Sequence, residues 1–318
     1  MNWEERYTLA ASASATSPPS TARTHIPAVS AAAAETNAAA HSGKLTNFLT
    51  ITQKTPPASQ KCTWHLSTAV GLVPVERAAV AWIIAKALMK YRSGNSIVYP
   101  TWYAAALSGV KLSGTHRELV VAFVESVFGL PPEGKSEDHL VGHVAEWMWY
   151  LHTSEKIDPA RTPVVLEPPK FNVTEPGADG FIVFHETVTD EHFYRLWELK
   201  KHTAVGPVSS TVSTAYNQLR TNAMRYLAQQ VSIHSTAEGP IGELCSKLVE
   251  FWLESHEHAG AGIGVTSATT PPPRTCFSTM GQQFPGFNKP GQLEGLLLAV
   301  EDLLEIAKDV RGYLWNVL

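Results

Sequence analysis

The chain has 318 residues, 44% of them hydrophobic and 17% charged, with a formal net charge of −4. That size and apolar content specify a folded body with a sizeable core. The slight acidity excludes a general polyanion binder, so any nucleic-acid surface has to be local.

Three widely spaced cysteines, Cys62, Cys245 and Cys276, form no CxxC pair. They exclude a disulfide scaffold and a cysteine-ligated zinc ribbon and fit a reducing, cytoplasmic setting. At the start, Glu4 and Glu5 stand where a secretory signal requires positive charge. Residues 1–62 are dominated by Ala, Ser, Thr and Pro, a composition expected to form a low-complexity, disordered arm. Order is expected from about Trp64, and residues 63–135 read as a helical N-terminal region. The apolar run at 79–91 lies in a helix spanning 74–91 that Ser93-Gly94-Asn95 ends. Lys86 and Lys90 interrupt the run, so no membrane span or membrane partner is expected. A second helix spans 115–128, with Thr115 and Glu118 in a capping-box pattern.

Residues 136–318 form the expected catalytic domain. Ser136 caps a third helix, 136–152, and Pro159, Pro163, Pro168 and Pro169 then forbid regular helix. GFIVFHE (180–186) and FYRLWELKKH (193–202) read as strands joined by the short link 187–192, a hairpin. Helices follow over 208–230 and 241–256, then a strand over 261–268, a turn-rich loop and a final helix over 292–315. The expected fold class is α/β, with a small mixed sheet carrying a catalytic hairpin between flanking helices.

Residues i and i+2 of a strand share a face, so Glu198 and Lys200 project together. Glu133-Gly134-Lys135 has the same spacing but sits in a Pro/Gly loop, so spacing alone carries little. The hairpin adds the constraint: with the turn centred between Thr189 and Asp190, Asp179 falls opposite Lys200 and Phe181 opposite Glu198. Two carboxylates and a lysine then meet at one end of the hairpin. Hard cations such as Mg²⁺ or Mn²⁺ take such carboxylate oxygens, and a nearby lysine stabilises developing negative charge. The competing reading is a salt bridge in which Lys200 merely neutralises its neighbours.

The helix-borne Glu146, the Gly-Ala-Asp-Gly run at 177–180 and the strand ending Glu-Leu-Lys together resemble the PD-(D/E)XK phosphodiesterase superfamily. The resemblance covers roughly residues 139–230 and implies a restriction-endonuclease-like core. It implies Asp179, Glu198 and Glu146 as metal ligands and Lys200 as the catalytic lysine of a Mg²⁺-dependent endonuclease. Ala178-Asp179 stands in place of the Pro-Asp that names the superfamily. Gln218 is followed four residues later by Asn222 rather than Tyr, so the recB-like subgroup is not matched. The layout is also similar to nuclease subunits of Hachiman-type phage-defence systems, which implies a helicase or ATPase partner.

Between Arg195 and Arg225, five positive residues face Glu198 alone. Lys201, His202, Gln218, Arg220 and Arg225 are therefore the candidate contacts to nucleic acid, DNA being favoured, with Tyr216 a weaker addition. Two rivals remain. One is a catalytically silent nucleic-acid-binding or assembly module on the same fold. The other is a zinc hydrolase using His139 and His143, which share a helical face with Glu146 but form no HExxH.

Overall fold

A computed structural model describes residues 25–54, 62–131, 133–170, 179–203, 206–268, 273 and 275–318. In chain order the helices are α1 (Ala31–Ala40), α2 (Pro74–Ser93), α3 (Val98–Ser108), α4 (Gly114–Phe128), α5 (Glu137–Glu155), α6 (Val208–His234), α7 (Pro240–Ser246), α8 (Leu248–Leu253), α9 (Met280–Gln283) and α10 (Leu303–Trp315). The strands are β1 (Thr50–Lys54), β2 (Cys62–Ala69), β3 (Gly129–Leu130), β4 (Glu133–Gly134), β5 (Arg161–Leu166), β6 (Gly180–Glu186), β7 (His192–His202), β8 (Ala261–Ser267) and β9 (Leu293–Val300). Seven strands form one mixed sheet in the order β1-β2-β9-β8-β7-β6-β5. The pairs β2/β9, β9/β8 and β8/β7 are parallel, and the outer pairs are antiparallel.

The sheet is covered on both faces. Ile182, Phe184, Trp197, Leu199, Leu296 and Leu298 pack with α1, α2, α5 and α10. Phe181, Val183, Tyr194, Leu196, Ile263 and Val265 pack with α6 to α9. The expected segments 63–135 and 136–318 thus share one sheet, since β2 pairs with β9.

Several expectations change. Residues 1–24 and 55–61 of the expected disordered arm lie outside the described residues, but residues 25–54 are built into the fold. Alanine has the highest helix propensity, and Ala31, Ala34 and Ala38 form a small buried face of α1 that lies close against α2. Glu35 on α1 accepts from Trp82 Nε1, from Lys86 Nζ at 2.7 Å and from the Tyr103 hydroxyl at 3.1 Å. The expected final helix over 292–315 is β9 followed by α10. All eight residues of β9 are buried in the middle of the sheet, and a strand buried on both faces shows no alternation to separate it from a helix. The proline-studded loop contains β5, where Pro163 is tolerated because the strand lies at the sheet edge and its register shifts at Pro163/Val165. Residues 98–108 form α3, which was not expected. The helix expected over 241–256 breaks at Lys247 into α7 and α8, and α4 begins after Ser113 rather than at Thr115.

Candidate functional site

The β6–β7 hairpin forms, with its register two residues from expectation. Phe181 faces Leu196, and Gly180 faces Trp197. Glu186 N–H donates to Glu191 O at 2.8 Å and Asp190 takes φ +60°, which closes the turn earlier than a Thr189/Asp190 centre. An even shift leaves every side chain on its expected face. Asp179 and Glu198 therefore still meet.

Asp179 Oδ2 accepts from Leu199 N–H at 2.8 Å, which fixes the carboxylate against β7. Lys200 Nζ donates to Glu198 Oε1 at 2.5 Å and lies 3.7 Å from Asp179 Oδ2. Glu198 is fully buried; its second oxygen, Oε2, meets no donor, and its carboxyl lies within hydrogen-bonding reach of Asp179. A buried, half-satisfied carboxylate is costly. Burial, then the neighbouring Asp179, push the Glu198 carboxyl upward against the pull of Lys200. Burial also raises Asp179, with Lys200 opposing and Glu146 adding to the rise. Burial pulls Lys200 down, but Asp179 and Glu198 outweigh it and hold its ammonium protonated.

Glu146 comes from α5, whose N-terminus is set by Ser136 accepting from His139 N–H. Burial raises Glu146 to about 7, opposed by Lys200, Lys170 and Arg92. Its Oε2 lies 3.5 Å from His143 Nδ1. His143 Nε2 accepts from Trp147 Nε1 at 3.0 Å and from Arg92 at 3.2 Å, so the ring carries its proton on Nδ1, toward Glu146. Burial, then Arg92, hold His143 neutral. A cleft of about 180 Å³ opens beside these groups, lined by Glu146 and Trp149 of α5, Lys200 and Lys201 of β7, and Thr266 of β8.

Asp179, Glu198, Lys200 and Glu146 are thus one electrostatic cluster. Lys200 and Glu146 line the cleft, whereas Asp179 and Glu198 do not. Among the described residues, no group of three His, Cys, Asp or Glu side chains stands ready as a metal cage; the Lys200 ammonium lies between the two hairpin carboxylates instead. The carboxylates of the cluster are Asp179, Glu198 and Glu146, each pushed upward by burial, and Glu198 Oε2 meets no donor.

The other expected residues are dispersed. Lys201 is ion-paired with Asp138 at the start of α5. His202 is buried, with Nδ1 2.7 Å from Thr211 Oγ1 and Nε2 3.2 Å from Gly206 O, so it anchors the approach to α6. Tyr216 is buried in the core. Gln218 is half-buried on α6, and Arg220 and Arg225 are exposed there. Arg195, counted in the local positive charge, is buried and paired with Glu294 away from this surface. His139 is exposed beside Ser136, while His143 is buried with Nε2 engaged, so the two histidines do not form a pair of open ligands.

Sequence reasoning missed Arg92 and Lys170, whose charges act on Glu146. It also missed Trp149, which fills the space above Gly180 and Gly264. Glycines on the two strands that flank β7, facing one helical tryptophan, are the signal that was present. No protein-family model matches the chain, and no curated protein matches its sequence.

Proposed function

We propose that the chain is a divalent-cation-dependent nuclease of the PD-(D/E)XK type, hydrolysing phosphodiester bonds of nucleic acid, with DNA the favoured substrate and endonucleolytic attack the favoured mode. The observation that carries the reading is the meeting of Asp179, Glu198 and Lys200 at one end of the β6–β7 hairpin, with Glu146 facing them from α5. The order of helix, antiparallel strands, crossover helix and parallel strand (α5, β5 to β7, α6, β8) supports a restriction-endonuclease-like core.

Asp179, Glu198 and Glu146 are the side chains that would hold Mg²⁺ or Mn²⁺. The bound ion supplies Lewis-acid polarisation of the scissile phosphate and a more acidic attacking water. Lys200 donates to phosphoryl oxygens and stabilises the charge that builds on them. The Leu199 N–H holds Asp179 in place, and the buried setting strengthens each of these interactions. Lys201, in the cleft wall, would supply a backbone phosphate contact without sequence readout. A helicase or ATPase partner in an anti-phage setting belongs to the same reading.

The test is cleavage by the purified full chain of duplex DNA, single-stranded DNA and RNA, alone and with any ATPase that co-purifies. Cleavage is expected with Mg²⁺ or Mn²⁺ and is expected to stop with EDTA. Lys200→Ala should lose about 100-fold or more in rate, the typical effect of removing one such charge-stabilising donor, while remaining folded by circular dichroism. Full activity in Lys200→Ala sinks the mechanism proposed for this site, and no cleavage under any of these conditions sinks the nuclease reading and leaves the silent module.

A further inference from the structure

A second polar cavity lies beyond the C-terminus of α5, with a volume of about 480 Å³ and Thr63, His65, Lys156, Arg161 and Glu294 in its walls. Glu146 and Lys156 are ten residues apart, so the two sites are separated by roughly 15 Å along this helix. Most of the charge here is already paired. Arg161 donates through Nη1 and Nη2 to Glu294 at 2.5 and 2.8 Å, and through Nε to Asp158 at 3.2 Å. Arg195 lies 3.3 Å from the same Glu294.

Lys156 is the exception. Among the described residues no carboxylate stands within 4.0 Å of its ammonium, which instead donates to His65 Nε2 at 2.9 Å. A cation at a helix C-terminus usually serves the last carbonyls. Here the backbone N–H of Lys156 caps the helix through His152 O, and the side chain turns to His65. A ring nitrogen that accepts from an ammonium is the unprotonated one, so His65 carries its hydrogen on Nδ1. That Nδ1 is buried and has no acceptor. The group thus holds three cations, Lys156, Arg161 and Arg195, against two carboxylates, Asp158 and Glu294. The surplus charge is Lys156, and the His65 Nδ1–H beside it is a donor without an acceptor.

We propose that this cavity is a binding site for a small organic oxyanion, held by Lys156 with His65 and Thr63 beside it. The cavity is larger than a bare ion requires and falls in the range of small-molecule sites. Ile51 and Ile157, both exposed, offer apolar contact on its wall. The ligand is an acid with an apolar body, its charge carried by a phosphate ester or by a carboxylate. This site does not depend on the nuclease reading.

Calorimetry of the full chain with phenyl phosphate and with benzoate separates the two sources, since both present one ring and differ in the oxyanion. Saturable binding of one of them is expected, weakened about tenfold or more in Lys156→Met, as loss of a charge-assisted hydrogen bond implies, and unchanged in Lys200→Ala. His65→Phe serves as the second variant, with the same expected loss, if Lys156→Met does not fold. On the unaltered protein, the bound probe should slow acylation of Lys156 read by mass spectrometry. Absence of saturable binding by either probe at millimolar concentration overturns the proposal. So does binding that Lys156→Met leaves intact, or the absence of any protection of Lys156.

Discussion

An ammonium 2.5 Å from one buried carboxylate and 3.7 Å from another serves two anions at once, and Glu146 adds a third negative group to the same field. Lys200 is thus shared between the two hairpin carboxylates, while Lys170 and Arg92 act on Glu146, and Glu198 Oε2 is the oxygen that meets no donor. A divalent cation that binds only the folded chain stabilises it by mass action, by about 2.7 kcal/mol at a hundred times its dissociation constant. Mg²⁺ should accordingly raise the melting temperature of the unaltered protein by several degrees, read by circular dichroism. Glu198→Gln should abolish that rise while leaving the protein folded. An equal rise in both proteins would place the cation elsewhere. This readout is independent of cleavage, so it separates a metal site from an active nuclease.

At the scale of elements, the site depends on how closely β6 lies under α5. A Cβ added at Gly180 would run into the ring of Trp149, and Gly180 adjoins Asp179. Gly180→Ala should cost about 1–3 kcal/mol, the usual penalty for overpacking, and should disturb the carboxylate next to it. Gly142, inside α5, is the counterpart: its added Cβ would meet only Lys201 Cδ at 3.9 Å. Gly142→Ala should stabilise by about 0.5–1 kcal/mol, because glycine in a helix interior is entropically unfavourable. Urea melts of both variants check the two signs, and destabilisation of both would contradict the packing described. The hairpin, α2, α5 with its Ser136 cap and β8 were all legible, because alternation, helical period and capping chemistry are local. The two-residue register shift was not, since it depends on backbone geometry at Asp190. Nor was β9, whose buried Leu-rich run has no period to read, or β5, where an edge position overrides the usual meaning of Pro163. The Ala-rich α1 was misread because alanine content is shared by flexible segments and by closely packed helices. In the site, Asp179, Glu198 and Lys200 were accessible through strand parity, whereas the burial of His202 and Arg195 was not, because local charge says nothing about burial.

Across the whole molecule the sheet curls far enough for Arg161 on the edge strand β5 to reach Glu294 on β9, with β6, β7 and β8 between them. Burial opposes ionisation of Glu294, but Arg161 and Arg195 outweigh it and hold the carboxyl at about 2, from an ordinary 4.5. A carboxyl depressed on folding contributes stability above its unfolded value and loses it as pH falls toward the folded one. The contribution is on the order of 3 kcal/mol, lost between pH 4.5 and about 2. Glu294→Gln should lower stability at neutral pH, because two buried guanidinium groups lose their partner. It should also flatten the acid limb in that window; denaturant melts across the range check it, and an unchanged limb would remove Glu294 from the acid response. The position of β9 also bears on synthesis. This strand lies inside the sheet, yet among the described residues it is made after the six other strands of that sheet. A ribosome that stalls before Leu293 therefore releases a chain in which β2 and β8 both present open edges, the kind of surface that chaperones and proteases act on.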